Sequence, residues 1–328
     1  MTITILNEQE IRKCVSLDAG ALKVIEQGFA RLAAGEVTVP PILRIDIPEN
    51  HGEVDVKTAY IHGLDSFAIK IAAGFSDNYL MGLPTGNGMM ILISARSGRP
   101  EAVLLDNGYL TDVRTGAAGA VAAQQMARQQ IETAGVIGAG MQARYQMRAL
   151  KLVRDFQRIL VYSIPEEQIF IYSEEMSADL GVEVVHADSA EQVVRESDLV
   201  VTTTPSHQPY LKAEWLHPGL HITCMGSDSE EKQEVYADVF RRVDRIACDR
   251  KLQCFRLGEL HHALEEGVLS TEHEILELGE LVSGQKPGRM RAEDITICDL
   301  TGVGVQDTQI ALLAYQRAVE KGFGLRIG

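Results

Sequence analysis

TAGVIGAGMQARYQMRAL, Thr133 to Leu150, is the stretch on which the reading of this chain turns. The apolar run Ala134 to Ile137 leads directly into Gly138-Ala139-Gly140-Met141-Gln142-Ala143, and a helical pattern follows. A GxGxxA turn between strand and helix has the chemistry of a dinucleotide loop. The first glycine makes the tight turn, the second lets a pyrophosphate approach the backbone, and the small Ala143 lets helix and strand pack closely. The helix N-terminus adds a partial positive charge. Gly138, Ala139, Gly140, Met141 and Gln142 are therefore candidate cofactor-binding residues. The plainer alternative is a glycine turn that binds nothing.

Downstream, the short apolar runs ILVYS, EVVHA, DLVVTTT, HITCMG and RIACD alternate with helical segments, the βαβ rhythm of a parallel sheet. That rhythm favours the dinucleotide reading over an idle turn. Discrimination between the two nicotinamide cofactors rests on the end of the second strand, where an acid binds the ribose diol or an arginine the extra phosphate. That place reads Ser163-Ile164-Pro165, with neither. Glu166 and Glu167 follow and would oppose a phosphate, a lean to NAD over NADP, although both could simply cover a solvated turn.

Working outward, Ile3 to Leu6 reads as a strand and Leu17 to Ala34 as a helix closed by Gly35. From Pro40 to Leu105 period-two runs predict a mostly antiparallel sheet. The alanine-rich stretch Leu110 to Ala127 predicts a buried linking helix. Near the end, ITICDL and a glycine turn precede a helix, VQDTQIALLAYQRAVEKG, whose apolar face can return to the first domain. The expected fold is α/β: a β-rich first domain, a Rossmann-type doubly wound parallel sheet, and a C-terminal segment crossing back.

A chain of 328 residues is long for a single core. Its formal net charge of −15 repels nucleic-acid backbones and anionic membranes, so neither is expected as a partner. No run approaches the roughly 20 apolar residues of a membrane span. Five scattered cysteines without a CxxC pair, behind a start that does not resemble a secretory leader, suit a reducing cytoplasm.

Beyond the glycine loop, the segments FAIKIAAGFSDN around Lys70, GLPTGNGMMIL at 82–92, LTDVRTGAAGAVAA around Arg114, VVTTTPS, MGSDSEEKQE around Asp228 and DLTGVGVQD stand in order along the chain. In that order and spacing they resemble the ornithine cyclodeaminase and mu-crystallin family. The resemblance implies a substrate-binding and dimerisation domain from residues 1–115 with 302–328, around a Rossmann domain at 116–301, and a homodimer. It also implies that Arg44, Lys70 and Arg114 hold a substrate carboxylate, that Thr85 lines the same pocket, and that Asp228, with Lys70 beside the chemistry, is the catalytic acid or base. Ser163, Thr203 and Thr204 join the cofactor-binding set.

The residue chemistry agrees with that assignment. Guanidinium groups hold carboxylates bidentately, and hydride exchange at a carbon bearing nitrogen needs a group to manage the nitrogen proton. Taken singly, each residue also has a bland reading: Lys70 facing solvent, Arg114 paired with Asp112, Arg44 with Asp46, Asp228 in a solvated turn. The implied activity is NAD(P)-dependent redox chemistry on a small amino acid or cyclic imine, as a ketimine reductase, an ornithine cyclodeaminase or an alanine-dehydrogenase-like enzyme. A mu-crystallin-like ligand-binding protein is the alternative of another class.

Two segments depart from the family pattern. Where relatives carry an apolar Met-Pro pair, this chain reads Lys57-Thr58-Ala59-Tyr60. Strand alternation puts Glu53, Asp55 and Lys57 on one face: either Lys57 adds a cation to the substrate pocket or it pairs with those acids on the surface. In LGELHHAL, adjacent His261 and His262 suggest a metal or a proton relay, but without clustered partners at ligand spacing they read as helix-surface residues, and no metal is expected. Together EVDVKTAY and GELHHAL resemble the ectoine-utilisation cyclodeaminase-like subgroup, which implies a place in ectoine or hydroxyectoine breakdown.

Overall fold

The computed structural model describes residues 2–328, the side chain of Glu167 excepted, so the expectation placed on that carboxylate lies outside the described residues. The chain divides into two compact units, Met1–Arg114 with Val303–Gly328, and Thr115–Gly302.

In the first unit, period-two sequence becomes a sheet in the order Leu325–Ile327, Ile3–Asn7, Pro100–Leu105, Gly86–Ser94, Ser66–Phe75, Gly52–Ile61, Val37–Thr38, with Leu43–Ile47 also paired to Gly52–Ile61. The pairing is antiparallel, as the turn-separated runs predict, except where Ile3–Asn7 lies parallel to Pro100–Leu105. The helix expected from Leu17 spans Ala19–Ala33, because the Asp18 carboxylate caps it by accepting from the Ala21 amide at 2.8 Å. A helix not foreseen, Glu8–Cys14, starts at a reciprocal Asn7/Glu10 capping box.

The C-terminal helix Gly304–Lys321 packs on the helix Ala19–Ala33 and on the strands Gly52–Ile61 and Ser66–Phe75. Its approach is close: a Cβ on Gly304 would lie 2.3 Å from the Thr58 carbonyl oxygen, so only glycine fits there. One turn on, the buried Thr308 hydroxyl donates to the Ala59 carbonyl at 2.7 Å and accepts from the Ala68 amide at 3.1 Å, stitching helix to sheet. This stitch places Asp307 under the strand that carries Lys70.

The second unit is a parallel sheet in the order Glu183–His186, Arg158–Tyr162, Thr133–Ile137, Leu199–Thr202, His221–Cys224, Thr296–Asp299, Arg245–Cys248, Leu276–Glu277. The strands Thr133–Ile137, Leu199–Thr202, His221–Cys224 and Thr296–Asp299 are buried at every position, as expected of a sheet covered by helices on both faces. Strand order reverses between Thr133–Ile137 and Leu199–Thr202, and ligands of doubly wound sheets bind at the carboxyl ends beside such a switch point. Gly138 and Thr203 are the residues that leave those two ends. Among the described residues no helix is long and apolar enough to cross a membrane.

Candidate active site

The glycine loop is built from its backbone. Gly138 has φ +103°, and a Cβ there would come within 2.6 Å of the Thr203 hydroxyl, so the turn requires glycine. Thr203 reciprocates by donating its amide and hydroxyl to the Ile137 carbonyl at 2.9 and 3.1 Å. Gly140 is the N-cap of the helix Met141–Lys151, and no side chain caps it. Among the described residues nothing lies within 4 Å of where its Cβ would be. Open amides at a helix N-terminus beside a side-chain-free cap are a cradle for a pyrophosphate, so the residues present fit a dinucleotide.

Ala143 is fully buried, as close packing of helix on strand requires, whereas Met141 is exposed and Gln142 half-buried. Arg144, which the sequence reading passed over, donates to the Ala139 and Gly140 carbonyls at 2.6 and 3.1 Å and to Glu175 at 2.6 Å. It thus braces the loop from behind. At the second strand's end Ser163 is buried, whereas Ile164 and Glu166 are exposed.

At the same carboxyl edge a buried acid organises two loops. The Glu234 carboxylate accepts from the Thr202 hydroxyl at 2.5 Å, from the Thr204 amide and hydroxyl at 2.7 Å each, from the Tyr210 hydroxyl at 2.8 Å and from the Gly226 amide at 2.9 Å. Burial still pushes its pKa up, against the pull of those donors. Beneath it, Glu259 accepts from the Glu234 and Val235 amides, and Asp299 binds the Leu260 amide. Burial, with Asp249 adding repulsion, pushes Asp299 up to about 8. In the sequence Asp299 shows only as an acid beside an apolar run, and Glu234 as one of several acids in MGSDSEEKQE. Asp228 stands on the loop between Gly226 and Glu234 and meets the Lys232 ammonium at 2.7 Å.

The first unit gathers its own charges. Lys57 and Lys70 are direct cross-strand partners, hence on one face, and they are only 6% and 2% exposed. The structure therefore buries Lys57. The Lys70 Nζ and the Arg114 Nε lie 3.3 and 3.1 Å from one oxygen of Asp307, which is fully buried. These contacts act mainly through charge, because among the described residues both Asp307 oxygens and the Arg114 Nε are without a well-aligned hydrogen-bond partner. Arg114 is steered by the Gln306 side chain at 3.3 Å.

Burial, then the neighbouring Arg114, lowers Lys70 to about 7; Lys57 adds to the effect and Asp307 opposes it. Burial pushes the nearby Asp106 up to about 6. The result is a crowded cationic patch in which Asp307 balances two cations without saturating their donors. An incoming carboxylate is the chemical complement of such a patch.

Arg44, on the strand Leu43–Ile47, is bonded to Asp46 at 2.8 Å and Glu53 at 2.5 Å, with Asp55 at 4.0 Å. The pairing with Asp46 that the sequence allowed is present, and Arg44 is committed to acids of its own hairpin. Thr85 is exposed on the loop before Gly86–Ser94, and its carbonyl accepts from the Phe75 amide at 2.8 Å. His261, His262 and Glu265 cluster with ligand atoms within 4.8 Å of one another. The Nε2 of each ring has a protein partner: that of His261 faces Glu265 at 3.5 Å, and that of His262 meets the Lys232 carbonyl at 2.9 Å.

Known proteins are similar to this chain over nearly its whole length. A cyclodeaminase of Sinorhizobium fredii, itself uncharacterized, is 49% identical over 324 residues, 98% of each chain. The structure of Thermococcus litoralis Delta(1)-pyrroline-2-carboxylate reductase in complex with NADH and L-proline superposes with a TM-score of 0.94 at 30% identity, covering 99% of this chain and 100% of that one. An archaeal alanine dehydrogenase dimer with bound NAD superposes with a TM-score of 0.92 at 33% identity, over 100% of this chain and 99% of that one. The model of one family matches residues 2–322, and the chain accordingly belongs to the ornithine cyclodeaminase/mu-crystallin family.

Proposed function

We propose that this protein is an NAD(P)-dependent enzyme that interconverts an amine and an imine at the carbon beside a carboxylate, in a small amino acid or cyclic imine. The observation that carries the reading is the buried pair Lys70 and Arg114 sharing one oxygen of Asp307. Two nearly water-free cations balanced by one unsaturated acid suit a substrate carboxylate. Lys70 and Arg114 are its anchors, with Lys57 beside them, and Thr85 and Arg44 belong to the same proposal at the rim.

The glycine loop from Gly138 to Gln142, with Ser163, Thr203 and Thr204, holds the dinucleotide. When bound, the nicotinamide supplies or accepts the hydride. Asp228 manages the proton on the substrate nitrogen, and Lys70, lowered to about 7, exchanges a proton near neutral pH. Glu166 and Glu167, which follow Ser163-Ile164-Pro165 and would oppose a phosphate, support NAD over NADP. Ketimine reduction is favoured over ornithine cyclodeamination because the buried Lys57, opposite Lys70, would repel a distal ammonium brought beside that pair, and a role in ectoine or hydroxyectoine breakdown is part of the proposal.

The exposed apolar side chains Leu43, Ile45, Tyr79, Leu80, Met81 and Leu83 support a homodimer made through this unit, in keeping with the dimer of the archaeal alanine dehydrogenase. The test is a screen of NADH and NADPH oxidation with Δ1-pyrroline-2-carboxylate, an imino dicarboxylate, pyruvate with ammonia, ornithine, and cyclic imines derived from ectoine. Cofactor oxidation with a cyclic imine is expected. Tight dinucleotide binding without turnover of any carboxylate-bearing imine would overturn the reading in favour of a binding protein.

A further inference from the structure

The segment from Gly226 to Glu234 is a short loop folded onto itself. The Ser227 hydroxyl donates to the Lys232 carbonyl. The Gly226 amide donates to Glu234 at 2.9 Å, and the Gln233 amide to the Ser206 carbonyl at 2.8 Å. From the helix Glu259–Glu265, His262 donates through Nε2, in that tautomer, to the same Lys232 carbonyl at 2.9 Å. The backbone of Lys232 is thereby pinned from two sides, and its ammonium is delivered to Asp228 Oδ1 at 2.7 Å.

The pair is asymmetric. The Lys232 side chain is 17% exposed and that of Asp228 41%, so the cation is the fixed, shielded partner and the carboxylate the one that reaches water. An ammonium held by its own covered stem and a pinned backbone acts on a neighbouring carboxylate with less screening than a mobile surface lysine. Three other acids on and beside this loop have their own partners. Glu230 faces Arg256 at 3.7 Å, Glu234 binds the loop ends, and Glu259 binds the Glu234 and Val235 amides.

We propose that Lys232 is a positioning residue that fixes the rotamer of Asp228 and keeps it a carboxylate when no substrate proton is being handled. This rests on the reading of Asp228 as the acid–base group. With Lys232 in place Asp228 is a ready proton acceptor in the amine-oxidising direction, and in the reducing direction it gives its proton up readily. Without the ammonium, the neutral carboxylic acid gains population.

The experiment observes Asp228 directly and needs no substrate. The full-length protein is labelled at aspartate 13Cγ, the Asp228 resonance is identified by its loss in Asp228→Asn, and its titration is followed in wild type, Lys232→Met, Lys232→Arg and His262→Ala. Lys232→Met is expected to raise the Asp228 pKa by about one unit, the low end for loss of an adjacent opposite charge because Asp228 is partly exposed. Lys232→Arg is expected to restore it, and His262→Ala, which loosens the backbone but leaves the ammonium, to give only a small part of that shift. An unchanged titration in Lys232→Met, or an equal shift in His262→Ala, would overturn the proposal. Turnover of Asp228→Asn is measured separately: if it stays near wild type the acid–base reading fails, whatever the titration shows of the pair.

Discussion

Lys70 is the residue at which burial and charge compete most openly. Its ordinary value of 10.5 falls to about 7 because burial and the Arg114 guanidinium disfavour the ammonium more than Asp307 favours it. Below about pH 7 the folded and unfolded chains both hold this proton, and the cost of burying the charge is fully present. Between about 7 and 10.5 only the unfolded chain keeps it, so this residue's contribution to stability becomes more favourable as pH rises. A bound carboxylate has the opposite preference and draws the proton back. Calorimetry of a carboxylate ligand in buffers of different ionisation enthalpy is therefore expected to show proton uptake at pH 8 to 8.5, little at pH 6, and none in Lys70→Met. Equal uptake in Lys70→Met would remove Lys70 from the anion site.

Two further residues separate the chemistry from the choice of substrate. Asp228→Asn is expected to lower turnover by at least ~100-fold while the dinucleotide still binds, the usual contribution of a positioned acid or base. On the proposed reading Lys57, buried opposite Lys70, would repel a distal ammonium: two like charges ~4 Å apart cost roughly 1 to 4 kcal/mol between water-like and surface-like dielectric. Wild type is expected to handle ornithine poorly, and Lys57→Met to improve on it by about fivefold or more while losing activity on the native substrate. A substrate profile unchanged by Lys57→Met would take this lysine out of substrate choice.

The glycine loop shows that two similar residues of one element can do separable work. Gly138 is required by the fold, with its φ of +103° and the Thr203 hydroxyl 2.6 Å from a would-be Cβ. Gly140 has extended backbone and open space. Gly138→Ala is therefore expected to lower the melting temperature with or without ligand. Gly140→Val should melt like wild type and lose dinucleotide affinity by steric exclusion, as read by calorimetric titration. The Thr308 stitch between the C-terminal helix and the sheet behaves differently again. Thr308→Val strands the Ala68 amide and the Ala59 carbonyl, at a cost of about 1 to 3 kcal/mol in chemical denaturation. A wild-type denaturation midpoint would show that the helix is held by packing alone.

On the scale of the molecule, a net charge of −15 and an exposed apolar band pull in opposite directions. The charge favours separate chains at low ionic strength, and the band around Leu80 and Met81, exposed at 70% and 67%, favours association. Sedimentation velocity is expected to find a dimer that tightens with salt, and Leu80→Asp with Met81→Asp to give a monomer whose dinucleotide binding is intact. A double variant that sediments as the wild type would place the interface elsewhere.

The sequence by itself determined what is local or periodic. Alternating runs make strands, glycines with one permitted backbone make turns, and an uncapped helix after GxGxxA makes a phosphate cradle, because each depends on residues within a few positions of one another. The short helix Glu8–Cys14 was within reach on the same terms, through its Asn7/Glu10 box, and was passed over because it spans only two turns. Only the tertiary structure decided which charges are buried together. That Lys57 is opposite Lys70 depends on the register of two strands, and that Asp307 lies beneath them depends on a helix some two hundred residues further on. The same holds for Arg44, claimed by acids of its hairpin, and for Glu234, an unremarked acid in MGSDSEEKQE that ties Thr202 and Thr204 to Gly226. A charge has no periodicity by which to announce its partner, and the free energy of burying it is set by neighbours that the chain brings close only when folded.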